Sequence, residues 1–169
     1  MSLASNALTT TATLALDSKA TEDDKIRFIN LASSILENEI GRSLVKADHT
    51  KTYQCQYCDA IIIDEHPLIT VGTMTYSDGT GLIVDDFTID YNGGIIRTKE
   101  QFIDDVTITY SAGYTVSGTG KNIPADLEES CITLAKALYY NAPQFNTENT
   151  AQYPPLVQRT IDIYRGGCL

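Results

Sequence analysis

The chain has 169 residues, of which 43% are hydrophobic and 20% are charged, so its composition is that of a globular protein. A formal net charge of −10 disfavours a nucleic-acid-binding function, because phosphate contacts need clustered Lys and Arg. No run approaches the roughly 18 apolar residues of a membrane span. A signal peptide requires a basic residue before its apolar stretch, and none is present here. We therefore expect a soluble protein made in a cytoplasm, with no membrane partner.

The first part of the chain is predicted to be helical. Residues 8–16 could form a short leading helix, although they are rich in Thr. Residues 21–41 are typical of a longer helix, with a capping box formed by Thr21 and Asp24 and a left-handed stop at Gly41. Its broad apolar face suggests more than one neighbour, within the chain or in another subunit. That face comprises Ile26, Phe28, Ile29, Leu31, Ala32, Ile35, Leu36 and Ile40.

From Thr50 the hydrophobic period changes to two, which is typical of strands. Short strands are predicted at residues 60–63, 69–74, 87–91 and 106–112. In the second of these, Ile69 and Val71 are expected on one face and Met74 on the other. The turn Asn92-Gly93-Gly94 predicts a hairpin, since Asn and Gly tolerate positive φ. The middle of the chain is thus a small antiparallel meander or sandwich.

Two helices are predicted after the β-rich segment. Pro124 is placed at the first position of a helix over residues 124–142, which Pro143 ends. The apolar seam of this helix comprises Leu127, Cys131, Leu134, Leu138 and Ala142. After a polar loop at residues 144–153, a last helix is predicted over residues 154–165. Its apolar side is expected to carry Leu156, Val157, Ile161, Ile163 and Tyr164, and its polar side Gln158, Arg159, Asp162 and Arg165.

This order of segments predicts an α+β fold. We expect a small helical bundle with an antiparallel β module inserted between the first long helix and the C-terminal helices. The whole chain, residues 1–169, is predicted to be one domain. Its helical part is residues 8–44 and 123–166, and its β insert is residues 49–114.

The Cys55-Gln-Tyr-Cys58 motif is the sharpest chemical signal. Two cysteines at this spacing can bind zinc or exchange disulfides, and His49 and His66 could complete a zinc site. However, the motif lies in strand-like sequence, whereas redox CxxC pairs lie at a helix N-terminus, and the two histidines do not form a closely spaced second pair. For Cys55 and Cys58, ordinary packing or a turn is therefore favoured over the alternative that the chain is a small zinc or redox protein. With only four cysteines in the chain, reduced thiols are the default.

Other candidate groups also have simpler explanations. The carboxylates Asp85-Asp86, Asp90 and Asp104-Asp105 lie beside turns, where Asp is expected for turn chemistry. Gly118-Thr119-Gly120-Lys121 lacks the first Gly and the final Ser or Thr of a phosphate-binding loop. Cys131 on its helix seam is predicted to be core. We therefore predict no catalytic, cofactor-binding or metal-binding residues, and no enzyme.

Four stretches together give the chain its resemblance to a known family. They are Glu22-Asp23-Asp24 through Ile35-Leu36-Glu37 with Gly41-Arg42, His66-Pro67-Leu68-Ile69-Thr70-Val71, Val106 to Tyr114 leading into Ile123-Pro124-Ala125-Asp126-Leu127, and Pro155-Leu156-Val157 with Ile163-Tyr164-Arg165. With the segment order, they resemble the head–tail connector proteins of tailed bacteriophages, also called head-completion or adaptor proteins.

The resemblance implies a structural role in the virion at the head–tail interface. It implies a ring of copies, usually a dodecamer, that binds below the portal protein, extends the DNA channel and presents a platform for the tail or its stopper protein. Genomic DNA would pass through without sequence-specific binding. It also implies that residues 154–169 dock on the portal. A tail-completion protein with a related fold is the alternative within this class, and a zinc or redox protein built on Cys55 and Cys58 is the alternative outside it.

Overall fold

The computed structural model describes residues 1–140 and 153–165, which form three helices and two antiparallel sheets. The chain divides into a helical unit, residues 1–45 with 115–169, and a β unit, residues 46–114. The predicted α+β class is confirmed. The order along the chain is also confirmed, with all strands between the first helix and the later helices. The single domain over residues 1–169 stays a prediction. None of the helices in the described residues is long and apolar enough to cross a membrane.

The helical unit contains α1 (Glu22–Ile40), α2 (Ala125–Tyr139) and α3 (Pro155–Arg165), and each helix packs against the other two. The predicted capping box is present: the Thr21 hydroxyl accepts from the Asp24 N–H at 3.1 Å, and the Asp24 carboxylate accepts from the Thr21 N–H at 2.9 Å. Gly41 ends α1 at a φ of 85°, and its N–H donates to the Glu37 carbonyl at 2.8 Å. Both helix signals are therefore confirmed.

Replacing Gly41 by Ala is expected to cost about 1 kcal/mol of unfolding free energy, because a Cβ strains the left-handed conformation. No atom would contact that Cβ, so the cost is conformational alone. Gly81 is the matched control, since it also has open space but no positive φ. Gly81→Ala should change stability by less than about 0.5 kcal/mol. Urea denaturation of both variants measures the difference, and equal effects would contradict the argument.

The short leading helix expected at residues 8–16 is wrong. This segment forms turns, and its Leu8 and Leu14 side chains are buried without any helix. The Thr13 hydroxyl donates to the Thr10 carbonyl at 2.7 Å and lies 2.5 Å from the Thr9 hydroxyl. Such local bonds compete with helical hydrogen bonding, and β-branched side chains weaken it further.

The later helices follow the prediction with some differences. Pro124 caps α2 rather than beginning it, and Ala142 and Pro143 lie outside the described residues, as does the polar loop except Tyr153. In α3, Thr160 is buried and accepts from the Ser130 hydroxyl at 2.8 Å. The apolar side predicted for α3 is therefore wrong in part. Two of its members, Leu156 and Ile163, are exposed.

The β unit contains seven strands. They are β1 (Ala47–Tyr53), β2 (Cys58–Ile62), β3 (Leu68–Tyr76), β4 (Gly81–Leu82), β5 (Thr88–Asp90), β6 (Ile95–Phe102) and β7 (Val106–Ala112). One sheet has the order β1-β7-β3-β4 and the other β2-β6-β5, and every strand pair is antiparallel. Buried side chains from both sheets form one cluster, so the sandwich is the correct alternative and the meander is not.

Hydrophobic alternation predicts one strand correctly and fails in another. In β7, Val106, Ile108 and Tyr110 are buried, as expected. In β3, by contrast, Met74 is buried while Ile69 and Val71 are only partly buried. The register shift against β7 between Val71 and Met74 explains the failure, because an extra residue reverses the faces that follow it. The hairpin between β5 and β6 is confirmed.

Candidate functional site

The two cysteines of the CxxC motif flank a bend at residues 56–57 that leads into β2. They are joined in a disulfide with a Cα–Cα distance of 5.7 Å, so the expectation of reduced thiols is wrong for this pair. Cys55 is buried in the sandwich core and Cys58 is the first residue of β2. No helix begins here, so the helix dipole that activates a redox pair has no counterpart at this turn. The favoured interpretation, a packed turn, agrees with the structure.

The two histidines that could have completed a zinc site have other settings. The His49 ring, on β1, stacks on Tyr110 with ring centroids 5.2 Å apart. His66 precedes Pro67 at a cis peptide bond between β2 and β3. Within residues 1–140 and 153–165, no three His, Cys, Asp or Glu side chains are grouped as metal ligands. The described residues thus do not bring the Cys2His2 set together.

Three of the candidate carboxylates serve the turns in which they lie. Asp90 accepts from the N–H groups of Asn92 and Gly93 at 3.1 and 3.0 Å. Asp104 accepts from the Ser77 hydroxyl, and Asp105 accepts from the Cys55 N–H at 3.2 Å. Asp85 and Asp86 lie in a short 3-10 helix. These contacts agree with the structural interpretation of the acidic turns.

The glycine-rich segment before α2 holds its lysine in an ion pair. Lys121 Nζ lies 2.8 and 2.7 Å from the two carboxylate oxygens of Glu128.

The Cys131 thiol on α2 is buried 3.4 Å from the Ser33 hydroxyl, and burial raises the pKa of Cys131 to about 11. The thiol therefore stays protonated at neutral pH, as expected of a core cysteine.

A buried carboxylate that the sequence analysis did not single out lies inside the β unit. Glu65 is 8% exposed, and its carboxylate accepts from Lys51 Nζ at 2.5 Å and from the Tyr110 hydroxyl at 2.6 Å. The Tyr53 hydroxyl lies 3.1 Å from that of Tyr110. We call these four residues the Glu65 network. Each partner comes from a different position on β1 or β7, so the network ties Glu65 to the four-stranded sheet.

Opposing effects set the pKa values of the Glu65 network. Burial on its own raises the pKa of Glu65, but the hydrogen bonds from Lys51 and Tyr110 outweigh it and lower that pKa. Burial likewise disfavours the Lys51 cation, and Glu65 outweighs it, so the pKa of Lys51 is raised. Burial and the bond to Glu65 both raise the pKa of Tyr110. The lysine and carboxylate are therefore both charged and the tyrosine neutral at pH 7.

An exposed aromatic side chain stands on the disulfide turn. Tyr57 has a φ of 57°, a left-handed conformation that no other non-glycine residue adopts within the described ranges 1–140 and 153–165. Its side chain is 70% exposed. The end of β6 lies next to it, because the Tyr57 N–H donates to the Phe102 carbonyl at 2.7 Å. Ile103, which follows, is 63% exposed.

Helix α3 is held at both ends by polar contacts within the helical unit. Arg165 pairs with the Glu39 carboxylate at 2.6 Å and also donates to the Glu39 carbonyl, while the Tyr153 hydroxyl donates to the same carboxylate at 3.0 Å. The Tyr164 hydroxyl donates to Asp126 on α2 at 3.1 Å. The outward residues Leu156 and Ile163 are thus presented on an anchored helix.

Solved structures of a gene transfer agent (GTA) particle match the chain closely. A chain in the neck of the empty particle, computed with C6 symmetry, matches with a TM-score of 0.67 and 18% identity, covering 98% of this chain and 92% of that one. A chain in the virion of the native particle gives 0.65 at 19% identity, with coverages of 98% and 92%. Another, in the neck of the native particle computed with C12 symmetry, gives 0.60 at 19% identity, with coverages of 83% and 80%.

The chain has the fold of these particle chains. The architecture implied by the resemblance to connector proteins is thereby confirmed at the level of fold. No protein-family model matches the sequence, and no curated protein matches it. At identities of 18–19%, the structural likeness does not carry individual residues or their roles from one chain to the other.

Sequence signals for the two missed features are faint. Glu65 stands in an acidic turn between Asp64 and His66, and only pairing across strands reveals that it is buried. Tyr57 lies between Cys55 and Cys58, in a motif whose chemical signal comes from its sulfur atoms. Tyr is not one of the residue types, such as Asn and Asp, that are enriched at positive φ, so its conformation here could not be expected from its type.

Proposed function

We propose that this chain is a virion structural protein that connects head to tail in a phage-like particle. The observation that carries the proposal is the fold match, which covers 98% of this chain and 92% of a chain in the neck of a gene transfer agent particle. The match extends over both the helical unit and the β unit, rather than over one common motif. The proposed place of the chain is the head–tail interface, after synthesis in the host cytoplasm.

The oligomer proposed is a ring, most simply a dodecamer. Two of the matched neck structures were computed with C6 and C12 symmetry, which supports cyclic assembly. A ring needs two different contact surfaces on each subunit, since its contacts are head-to-tail. Exposed apolar side chains on α1 and α3 could supply contact area of this kind. They are Leu31, Leu156 and Ile163.

The charge of the chain fits a conduit for DNA. The whole chain carries −10, and within the β unit eleven Asp and Glu stand against four Lys and Arg, a net charge of −7. A basic lining would hold the genome through many ionic contacts, whereas an acidic one repels phosphate. We therefore propose that DNA passes through the ring without sequence-specific binding.

A function in catalysis or metal binding receives less support. The zinc or redox alternative rests on Cys55 and Cys58, which form a disulfide in a turn with Cys55 buried. Zinc content and thiol titration of the purified protein, compared with Cys55→Ser, test it. A stoichiometric metal that is lost on substitution would favour this alternative. A tail-completion role is distinguished by gene neighbourhood, since a connector gene is expected beside portal and major capsid genes.

The portal is the proposed partner of residues 154–169. Deleting them should abolish binding to the assembled portal ring from the same genome, as seen by imaging of the mixture. Because the deletion also removes the buried Val157 and Ile161, a surface variant is needed beside it. Leu156→Ser with Ile163→Ser should lower portal affinity by roughly tenfold while leaving the fold intact.

The matched control changes the polar side chains of the same helix. Gln158→Ala with Asp162→Ala removes an exposed hydrogen bond of 2.9 Å and should leave portal binding unchanged. Circular dichroism confirms that all variants fold. Undiminished portal binding by the deletion variant would remove this assignment, although the connector role would stand if the full chain still binds.

A further inference from the structure

The turn at residues 55–58 holds an aromatic side chain in a strained position. A left-handed backbone costs a non-glycine residue roughly 1–2 kcal/mol, and Tyr57 adopts it at a φ of 57°. The conformation is fixed by the 2.7 Å bond from its N–H to the Phe102 carbonyl and by the bond from the Cys55 N–H to Asp105. Strain of this kind persists at sites where a side chain must point in a given direction.

The side chain so positioned is part of an exposed apolar pair. Cys58 pairs with Phe102 in the register of β2 and β6, and Tyr57 and Ile103 are the residues that flank this pair in the sequence. They are 70% and 63% exposed, whereas Phe102, which precedes Ile103, is 1% exposed. We call Tyr57 and Ile103 the Tyr57 tip. A rigidly held aromatic residue beside an aliphatic one is the usual anchor of a protein interface.

Carboxylates follow both members of the Tyr57 tip in the sequence. Asp59 follows Cys58 on one side, and Asp104 and Asp105 follow Ile103 on the other. No Lys or Arg lies within residues 52–60 or 100–110. The complementary surface is therefore an apolar hollow bordered by Lys and Arg. A second copy of this chain, with its net charge of −10, fits that description poorly.

We propose that the Tyr57 tip inserts into an apolar, basic-rimmed hollow on a virion protein of different sequence. This inference rests on the proposed connector function and deepens it, by assigning a docking surface on the β unit distinct from the one proposed on α3. The disulfide and the backbone bonds keep the anchor ordered before binding, which reduces the entropy lost on association.

Site-directed photo-cross-linking tests the inference in assembled particles. Tyr57 is replaced by p-benzoylphenylalanine, the particles are irradiated, and cross-linked peptides are identified by mass spectrometry. We expect a peptide from another virion protein, with Lys or Arg near the cross-linked residue. The same probe at Tyr91, which is exposed on the hairpin between β5 and β6, should not label that peptide.

Binding to the protein identified in this way gives the second measurement. Tyr57→Ser should weaken the affinity of the purified chain by tenfold or more, and raised salt should weaken it further. Tyr91→Ser is the control and should leave affinity unchanged. Cross-links to the chain's own sequence alone, or none, would overturn the inference while leaving the connector function standing. Particles that lack the chain would overturn both.

Discussion

Phe102→Ala is expected to destabilise the β unit by about 3–5 kcal/mol. Phe102 is 1% exposed, stacks on Phe87 with ring centroids 5.5 Å apart, and belongs to the buried cluster whose members come from both sheets. Truncation removes buried apolar area and leaves a cavity between two sheets that cannot readily close on it. Urea denaturation at neutral pH gives the loss of unfolding free energy.

The adjacent residue supplies the control. Ile103 directly follows Phe102 but is 63% exposed, so Ile103→Ala should change stability by no more than about 0.5 kcal/mol. The two variants differ in whether the side chain enters the core. A loss for Phe102→Ala no larger than that for Ile103→Ala would mean that the two sheets do not share the core described.

Glu65→Gln is expected to cost about 2 kcal/mol at pH 7, because hydrogen bonds to a charged group are stronger than those to a neutral one. The Glu65 carboxylate accepts from Lys51 and Tyr110, and its pKa is lowered in the folded state. A lowered pKa stabilises the fold at pH above the ordinary value, and the contribution is lost as pH falls through the folded value. The deficit of the variant should therefore shrink at about pH 3.

The contribution of Lys51 to stability depends on pH in the opposite direction to that of Glu65. Its raised pKa contributes stability that is present below the ordinary value of 10.5 and is lost as pH rises through the folded value.

Asp64→Asn is the matched control for Glu65→Gln, since Asp64 lies 3.7 Å from the same lysine but is exposed. It should cost less than about 0.5 kcal/mol. A deficit for Glu65→Gln that is constant from pH 7 to about pH 3 would contradict the pKa argument.

Local signals in the sequence predicted the parts of the fold that depend on neighbouring residues. The capping box at Thr21, the stop at Gly41 and the Asn92-Gly93-Gly94 turn each depend on a few adjacent residues, and all are confirmed. The alternation in β7 was equally reliable because one face of the strand is buried along its whole length. In such places, propensity and tertiary packing agree.

Features that depend on distant residues were not predicted. The register shift between Val71 and Met74 reverses the face of Met74, and its sequence signal is a single residue, Gly72, of the type that often marks a bulge inside a strand. Burial of Glu65 depends on Lys51 and Tyr110, which are far from it in sequence. The conformation of Tyr57 is fixed by Phe102 on another strand. Each of these is a property of strand pairing, which one-dimensional periodicity does not contain.

Imaging of intact particles at the neck tests the connector proposal most directly. The proposal predicts density below the portal into which the helical unit and the β unit of this chain fit, repeated in a closed ring about the particle axis, with Tyr57 against a neighbouring protein. A neck fully accounted for by other proteins, with no density for this chain, would contradict it.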